Sequence, residues 1–257
     1  MNKVDNIFNL DGKTAYVLGG SGLIGIETIK LLRKYNAKVI NLDVKDYSKS
    51  RNKEIFIKFD CTKLKKIEKR LEAIFVKNNF PDIFINCSYP KTKNWKNNSF
   101  SKINYKNLKE NIEMHLNSSV WITKIIAEKM MKKKIKGTII QTGSIYGLVG
   151  QDQNIYLNTK MTENMSYSII KGGIINFTRQ AASNYGKFGI RINTVCPGGV
   201  ADGKQEKSFL KNYKKRVPLK RLAKPTEIAS VNLFLSSQAS SYITGSSIVV
   251  DGGWTCI

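Results

Sequence analysis

Hydrophobic and polar positions follow two periods along this chain, and the periods take turns. Short apolar runs of strand length occur at 14–19 (TAYVLG), 38–43 (KVINLD), 54–60 (EIFIKFD), 82–87 (DIFINC), 137–143 (GTIIQTG), 190–197 (IRINTVCP) and 246–253 (SSIVVDGG). Between them lie GIETIKLLRKYN, LKKIEKRLEAIFVKN, NLKENIEMHLNSSVWITKIIAEKMMKKK and SYSIIKGGIINFTRQAASNYG, whose apolar residues recur at spacings of three and four. Near-continuous apolar strands separated by amphipathic helices predict an α/β chain: a doubly wound parallel sheet of about seven strands with helices on both faces. No repeat, low-complexity linker or charged tail divides residues 1–257, so a single domain is expected, interrupted by a polar insertion at about 150–165.

Composition narrows the function classes. Hydrophobic residues make up 41% of 257, enough for a sizeable core. No run of 18 apolar residues is present and the N-terminus, MNKVDNIFNLDGK, has no apolar signal segment; a cytoplasmic protein without a membrane span is expected. The four cysteines, Cys61, Cys87, Cys196 and Cys256, are scattered with no C-x-x-C pair, which predicts neither a metal site nor a disulfide framework. The net charge of +24 comes mostly from lysines spread among Asn and Ile rather than gathered with aromatics, so no nucleic-acid partner is expected. Such a field still attracts anionic small molecules, phosphorylated sugars among them.

The first strand runs through LGGSGLIG (18–25) straight into a helix, and Gly19, Gly22 and Gly25 fit G-x-x-G-x-x-G. Glycines at a strand–helix junction let backbone N–H groups approach a pyrophosphate at the positive end of the helix dipole. The second strand ends at Asp43, where a carboxylate accepts hydrogen bonds from the adenosine ribose hydroxyls and repels a 2′-phosphate. NAD is therefore favoured over NADP, with Lys45 close enough to temper the choice. Further along, Tyr167 and Lys171 stand four apart in a helical stretch and so share one face.

Over nearly its whole length, from Lys13 onward, the chain resembles the short-chain dehydrogenase/reductase family. The resemblance rests on the glycine turn, Asp43, FDCT (59–62), INCS (85–88), IIQTGSIYG (139–147), YSIIKGG (167–173), IRINTVCPGGV (190–200) and YITGSSIVVDGGW (242–254). It implies a Rossmann-type fold and hydride transfer between a nicotinamide and an alcohol or carbonyl carbon. Tyr167 is then the general acid or base, Ser144 the hydrogen-bond partner of the reacting oxygen, and Lys171 the group that binds the nicotinamide ribose. A free phenol has a pKa of ~10, and an adjacent ammonium is expected to pull it toward the working pH. The cofactor-binding set implied is Gly19, Ser21, Gly22, Leu23, Ile24, Gly25, Asp43, Asp60, Cys61, Asn86, Tyr167, Lys171, Pro197, Gly198 and Val200. The C-terminal strand resembles one that packs in a homodimer or homotetramer interface, and residues at about 198–221 correspond to a flexible substrate lid.

Several positions depart from the family pattern. The asparagine usual on the long middle helix, which holds a water linked to the lysine, aligns without a gap to His115. That imidazole would join the catalytic set as a group titrating near neutral pH, with a purely structural histidine as the competing reading and a one-residue shift bringing Leu116 or Asn117 into place. N-N-A-G reads Asn86-Cys87-Ser88-Tyr89; Leu18 and Leu23 replace a threonine and a glycine in the turn; Asp202 replaces a threonine. Ser144 and Tyr167 are 23 residues apart, and the insertion between them carries Asp152, Gln153, Asn154, Tyr156, Asn158 and Lys160, which suit a hydroxyl-rich ligand. GSIYG, the insertion, YSIIKGGI and HL-x-SS are similar to a subgroup of oxidoreductases found with bacterial surface-sugar pathways, such as flagellin glycosylation and nonulosonic-acid synthesis. This implies a sugar or sugar-phosphate substrate, hydroxyl-rich and anionic in the latter case. A 3-oxoacyl thioester reductase and a catalytically silent dinucleotide-binding regulator are the alternatives.

Overall fold

The computed structural model describes residues 7–46 and 55–257. Residues 1–6 of the unapolar N-terminus and Glu54 of the third apolar run lie outside the described residues. Seven strands form one parallel sheet: β1 (Thr14–Leu18), β2 (Lys38–Asp43), β3 (Ile55–Lys58), β4 (Ile83–Asn86), β5 (Thr138–Thr142), β6 (Arg191–Pro197) and β7 (Ser247–Val250), in the order β3-β2-β1-β4-β5-β6-β7. Each expected run holds one strand; β2 fills its run and the other strands are shorter than theirs.

The helices are α1 (Leu23–Lys34), α2 (Leu64–Asn78), α3 (Tyr105–Asn111), α4 (Ser118–Lys132), α5 (Met165–Tyr185), α6 (Lys207–Arg216) and α7 (Pro225–Ser236). The long middle helix is not uniform: a π-helical turn over Ile112–Asn117 joins α3 to α4. Successive residues of a strand face opposite sides of the sheet. In β1, Tyr16 and Leu18 enter a core shared with Leu71, Phe75, Ile122 and Ile126, whereas Ala15 and Val17 enter the core that includes Ile29, Leu32, Ile228 and Leu233. The sheet is thus sandwiched by α2, α4 and α5 on one side and by α1 and α7 on the other. Strand order reverses between β1 and β4, and in open α/β sheets such a switch point opens a crevice at the carboxyl ends of the strands.

A third cluster joins the insertion to the segment expected to form the lid. Ile155 from the insertion, Phe209 and Tyr213 from α6, and Trp254 near the C-terminus pack together with Ile145, Val217 and Leu222. Tyr213 stacks on Trp254 with ring centres 4.7 Å apart. Asn212 Nδ2 donates to the Leu157 carbonyl (2.8 Å), and Arg216 pairs with Asp152 (3.4 Å). Helix α6 of that segment is thus tied to the insertion by packing, a hydrogen bond and an ion pair. The insertion is its packing partner: Asp152 is engaged by Arg216 and by the Asn154 N–H, and the Tyr156 hydroxyl donates to Gln151.

Candidate active site

A cleft of about 1030 Å³ follows the switch point. At one end is the turn between β1 and α1. Gly19 has φ 74°, and a Cβ there would lie 2.6 Å from the Ser88 backbone, so only glycine lets the turn sit this close to the end of β4. Helix α1 has Gly22 at its N-cap, with no side-chain cap and no acid in its first turn. The first N–H groups of the helix are left for an anion from the cleft, which Gly19, Ser21, Gly22, Leu23 and Ile24 all line. Asp43 also lines it. Its carboxylate accepts from the Ser21 N–H (3.0 Å) and the Val44 N–H (2.6 Å), which fixes the group at the end of β2. Asp60, Cys61, Pro197, Gly198 and Val200 complete this wall, with Lys45 beside Asp43.

Two expected cofactor residues do not face the cleft. The Asn86 side chain is buried: its amide donates to Gln141 (3.1 Å) and Ser119 (3.3 Å), and its oxygen accepts from the Ser88 N–H and hydroxyl, so it holds the end of β4 in shape. Gly25 lies behind the turn, where a Cβ would collide with the Gly20 backbone at 2.7 Å. Its role is to let α1 pack against the turn. Asp202 is likewise turned to its own loop, accepting from the Lys204 N–H (2.7 Å).

Tyr167 and Lys171 line the other end of the cleft, and the buried Ser144 stands next to Tyr167. Ser144 follows β5 and caps a short 3₁₀ turn by accepting from the Tyr146 N–H (3.1 Å). The Tyr167 phenol lies beside Ser144, whose side chain favours the ionised phenol. One turn along α5, Lys171 is buried, with Nζ donating to the Thr142 carbonyl (2.7 Å) and standing 5.6 Å from the centre of the Tyr167 ring. Asn164 starts this helix by accepting from the Tyr167 N–H (3.1 Å). Burial lowers the Lys171 pKa from 10.5 to about 8. Burial also raises that of Tyr167, the Ser144 side chain being the only lowering influence. The expected downward pull of Lys171 on the phenol is therefore outweighed by desolvation in this arrangement.

The π-helical turn delivers His115 to the same place. Its Nε2 lies 3.5 Å from Lys171 Nζ, and its Nδ1 is buried without a partner among the described residues. Desolvation and the neighbouring ammonium hold its pKa well below 6.5. The expectation of a group titrating near neutral pH is thereby corrected: this imidazole stays neutral, and with Nε2 toward an ammonium it is placed to accept. Sequence reasoning missed Tyr89, Lys91 and Trp95. The rings of Tyr89 and Trp95 pack edge-on against Tyr167 at 5.9 and 6.3 Å. Their only signal was the bulk of the residues that follow INCS.

Comparison with known proteins agrees with this geometry. Residues 23–255 match the family model described as Enoyl-(Acyl carrier protein) reductase. The chain belongs to the short-chain dehydrogenase/reductase family and is an oxidoreductase of that family. It is 28% identical over 255 residues to post-translational flagellin modification protein A of Campylobacter coli, covering 95% of this chain and 99% of that one. It is 30% identical over 259 residues to the 3-oxoacyl-[acyl-carrier-protein] reductase FabG of Vibrio cholerae, covering 95% and 98%. Among solved structures, a short chain dehydrogenase from Leptospira borgpetersenii with bound NAD+ superposes with a TM-score of 0.88 at 30% identity, over 99% of this chain and 96% of that one.

Proposed function

We propose that this chain is an NAD(H)-dependent alcohol/carbonyl oxidoreductase acting on a sugar or sugar-phosphate derivative in surface-glycan biosynthesis. The observation that carries the reading is a single cleft with Tyr167 and Lys171 at one end, Ser144 next to Tyr167, and an uncapped glycine turn beside Asp43 at the other. The turn and the first N–H groups of α1 fit a pyrophosphate, and Asp43 fits the unphosphorylated ribose of NAD. The Leptospira structure, described with NAD+, supports the same choice. When bound, NAD supplies or accepts the hydride.

The chain's own residues do the rest. Ser144 orients the reacting oxygen, Tyr167 gives it a proton or takes one, and Lys171 places its charge beside the phenol and binds the ribose next to the nicotinamide. His115 is a positioning residue that acts through Lys171. His115→Leu is expected to lower kcat by about tenfold or more, with His115→Asn recovering most of the loss. Because the imidazole stays neutral, the wild-type profile should lack an inflection near pH 6.5. An inflection there that disappears in His115→Asn would refute this assignment.

The name of the Campylobacter relative supports a sugar pathway, and the field of a chain of charge +24 suits an anionic substrate. The Vibrio relative favours a second reading, a 3-oxoacyl thioester reductase. A silent dinucleotide-binding regulator would have no use for the Ser144–Tyr167–Lys171 set. We further propose that the protein is cytoplasmic and a homodimer or homotetramer. Strand β7 ends the sheet with a neighbour on one side only and leaves Val249 exposed, while no described helix is long and apolar enough to cross a membrane. The test is nicotinamide absorbance with NAD+ or NADH across sugars, sugar phosphates, nucleotide sugars and acyl thioesters. Turnover of acyl thioesters alone, with NADPH, would overturn both the substrate class and the reading of Asp43.

A further inference from the structure

We infer that segment 89–95 is the substrate-recognition wall of this site: Tyr89 is a stacking face for the sugar ring, and Lys91 receives an anionic group, carboxylate or phosphate, carried by the substrate. This deepens, and rests on, the reading of the chain as a sugar oxidoreductase.

The segment begins where β4 ends. Asn86 turns the chain by accepting from the Ser88 N–H (3.0 Å), and the next residue, Tyr89, enters the cleft. Its ring meets His115 edge-on at 5.3 Å, Tyr167 at 5.9 Å and Trp95 at 5.4 Å, yet 43% of the residue stays exposed. Part of the residue is thus left exposed in the cleft, close to Tyr167. The Lys91 ammonium lies over the same ring, 4.6 Å from its centre, and Lys171 Nζ is 5.8 Å from it. A sugar laying its C–H face on Tyr89 would move the Lys91 ammonium from above the ring to the sugar's edge, where it meets the anionic group, with the carbinol beside Tyr167.

The wall is held, not draped. The Thr92 hydroxyl donates to Asn111 Oδ1 (2.7 Å), and Asn111 Nδ2 donates to Ser166 Oγ (3.1 Å), one residue before Tyr167. Asn164 and Asn98 both donate to the Trp95 carbonyl (3.0 Å each). Asn98, Asn111 and Ser166 are wholly buried. Buried polar networks of this kind fix one geometry, and here they fix the segment to the helix that carries Tyr167.

Charge points the same way. The carboxylates lining the cleft, Asp43 and Asp60, belong to its glycine-turn end. Lys91 forms no ion pair among the described residues; Asp202 influences it only from a distance while accepting from the Lys204 N–H. The pyrophosphate of a dinucleotide belongs to the start of α1, which leaves Lys91 for the substrate.

The test is calorimetric titration of the enzyme preloaded with NAD+ against matched sets: a neutral sugar, its uronic acid and its phosphate. Wild type is expected to bind at least one charged member roughly tenfold to a hundredfold more tightly than the neutral one. In Lys91→Met that ratio should fall to near one, and Lys91→Arg should keep it. The uronic-acid and phosphate arms tell which anion is meant. Tyr89→Ala should weaken all members of a set alike. Discrimination that survives in Lys91→Met, or a parallel loss of NAD+ affinity, would overturn the assignment. Sugar binding without charge preference would sink Lys91 alone; acyl-thioester turnover with no sugar bound would sink the functional reading and this inference with it.

Discussion

Tyr167→Phe is expected to lower kcat by a factor of roughly 10²–10⁴, the usual contribution of a positioned acid–base group, while NAD+ affinity and thermal stability stay close to wild type. Phenylalanine keeps the ring contacts with Tyr89 and Trp95 and removes only the hydroxyl beside Ser144. The loss should therefore appear in kcat at saturating substrate, read by nicotinamide absorbance, rather than in KM. Alcohol oxidation needs the phenol deprotonated, and burial raises its pKa. The oxidation rate should thus climb toward alkaline pH, and carbonyl reduction should be favoured toward neutrality. A Tyr167→Phe protein of undiminished kcat would mean that the proton travels by another route. Equal inactivity of wild type and mutant on every substrate, with NAD+ still bound, would favour the regulator.

The sheet was legible because its information is local. Buried parallel strands must be apolar on both faces, so each run announces itself, and β1 is buried at every position. The glycine turn was equally open to reading, since a positive φ at Gly19 and the close approach of Ser88 leave no alternative residue. Contacts between distant segments were not legible. The insertion is polar except for a few residues, and nothing in its composition says that Ile155 inserts between Phe209, Tyr213 and Trp254. Asp152 looked available for a ligand because its partner, Arg216, lies far away in the chain. For His115 the obstacle was different. A π-helical turn carries an extra residue and shifts the helix face, so an ideal 3.6-residue period does not describe where the imidazole points. Its neutrality follows from burial beside Lys171, which only the fold reveals.

Lys171→Met should move activity and stability in opposite directions. Loss of the ammonium removes the charge beside the phenol and the contact to the ribose, so kcat should drop at least a hundredfold. The apo fold, however, should become more stable at pH 7. A lysine whose pKa falls from 10.5 in the unfolded chain to about 8 in the fold is charged in both states at neutrality, and its burial as a cation costs about 3 kcal/mol. Methionine removes that cost but leaves the Thr142 carbonyl without its donor, a penalty of about 1–3 kcal/mol. The net gain should be about 1 kcal/mol, or a melting temperature higher by about 2–4 °C. The pH dependence carries the sign. Between pH 8 and 10.5 the folded wild type sheds a proton that the unfolded chain retains, so wild-type stability gains on the mutant as pH rises through that window. The difference between the two melting curves should accordingly shrink or reverse from pH 8 to 10, and other titrating groups cancel because both proteins share them. A flat difference would mean that the folded and unfolded chains hold the Lys171 proton alike up to pH 10, so that its burial as a cation carries no such cost.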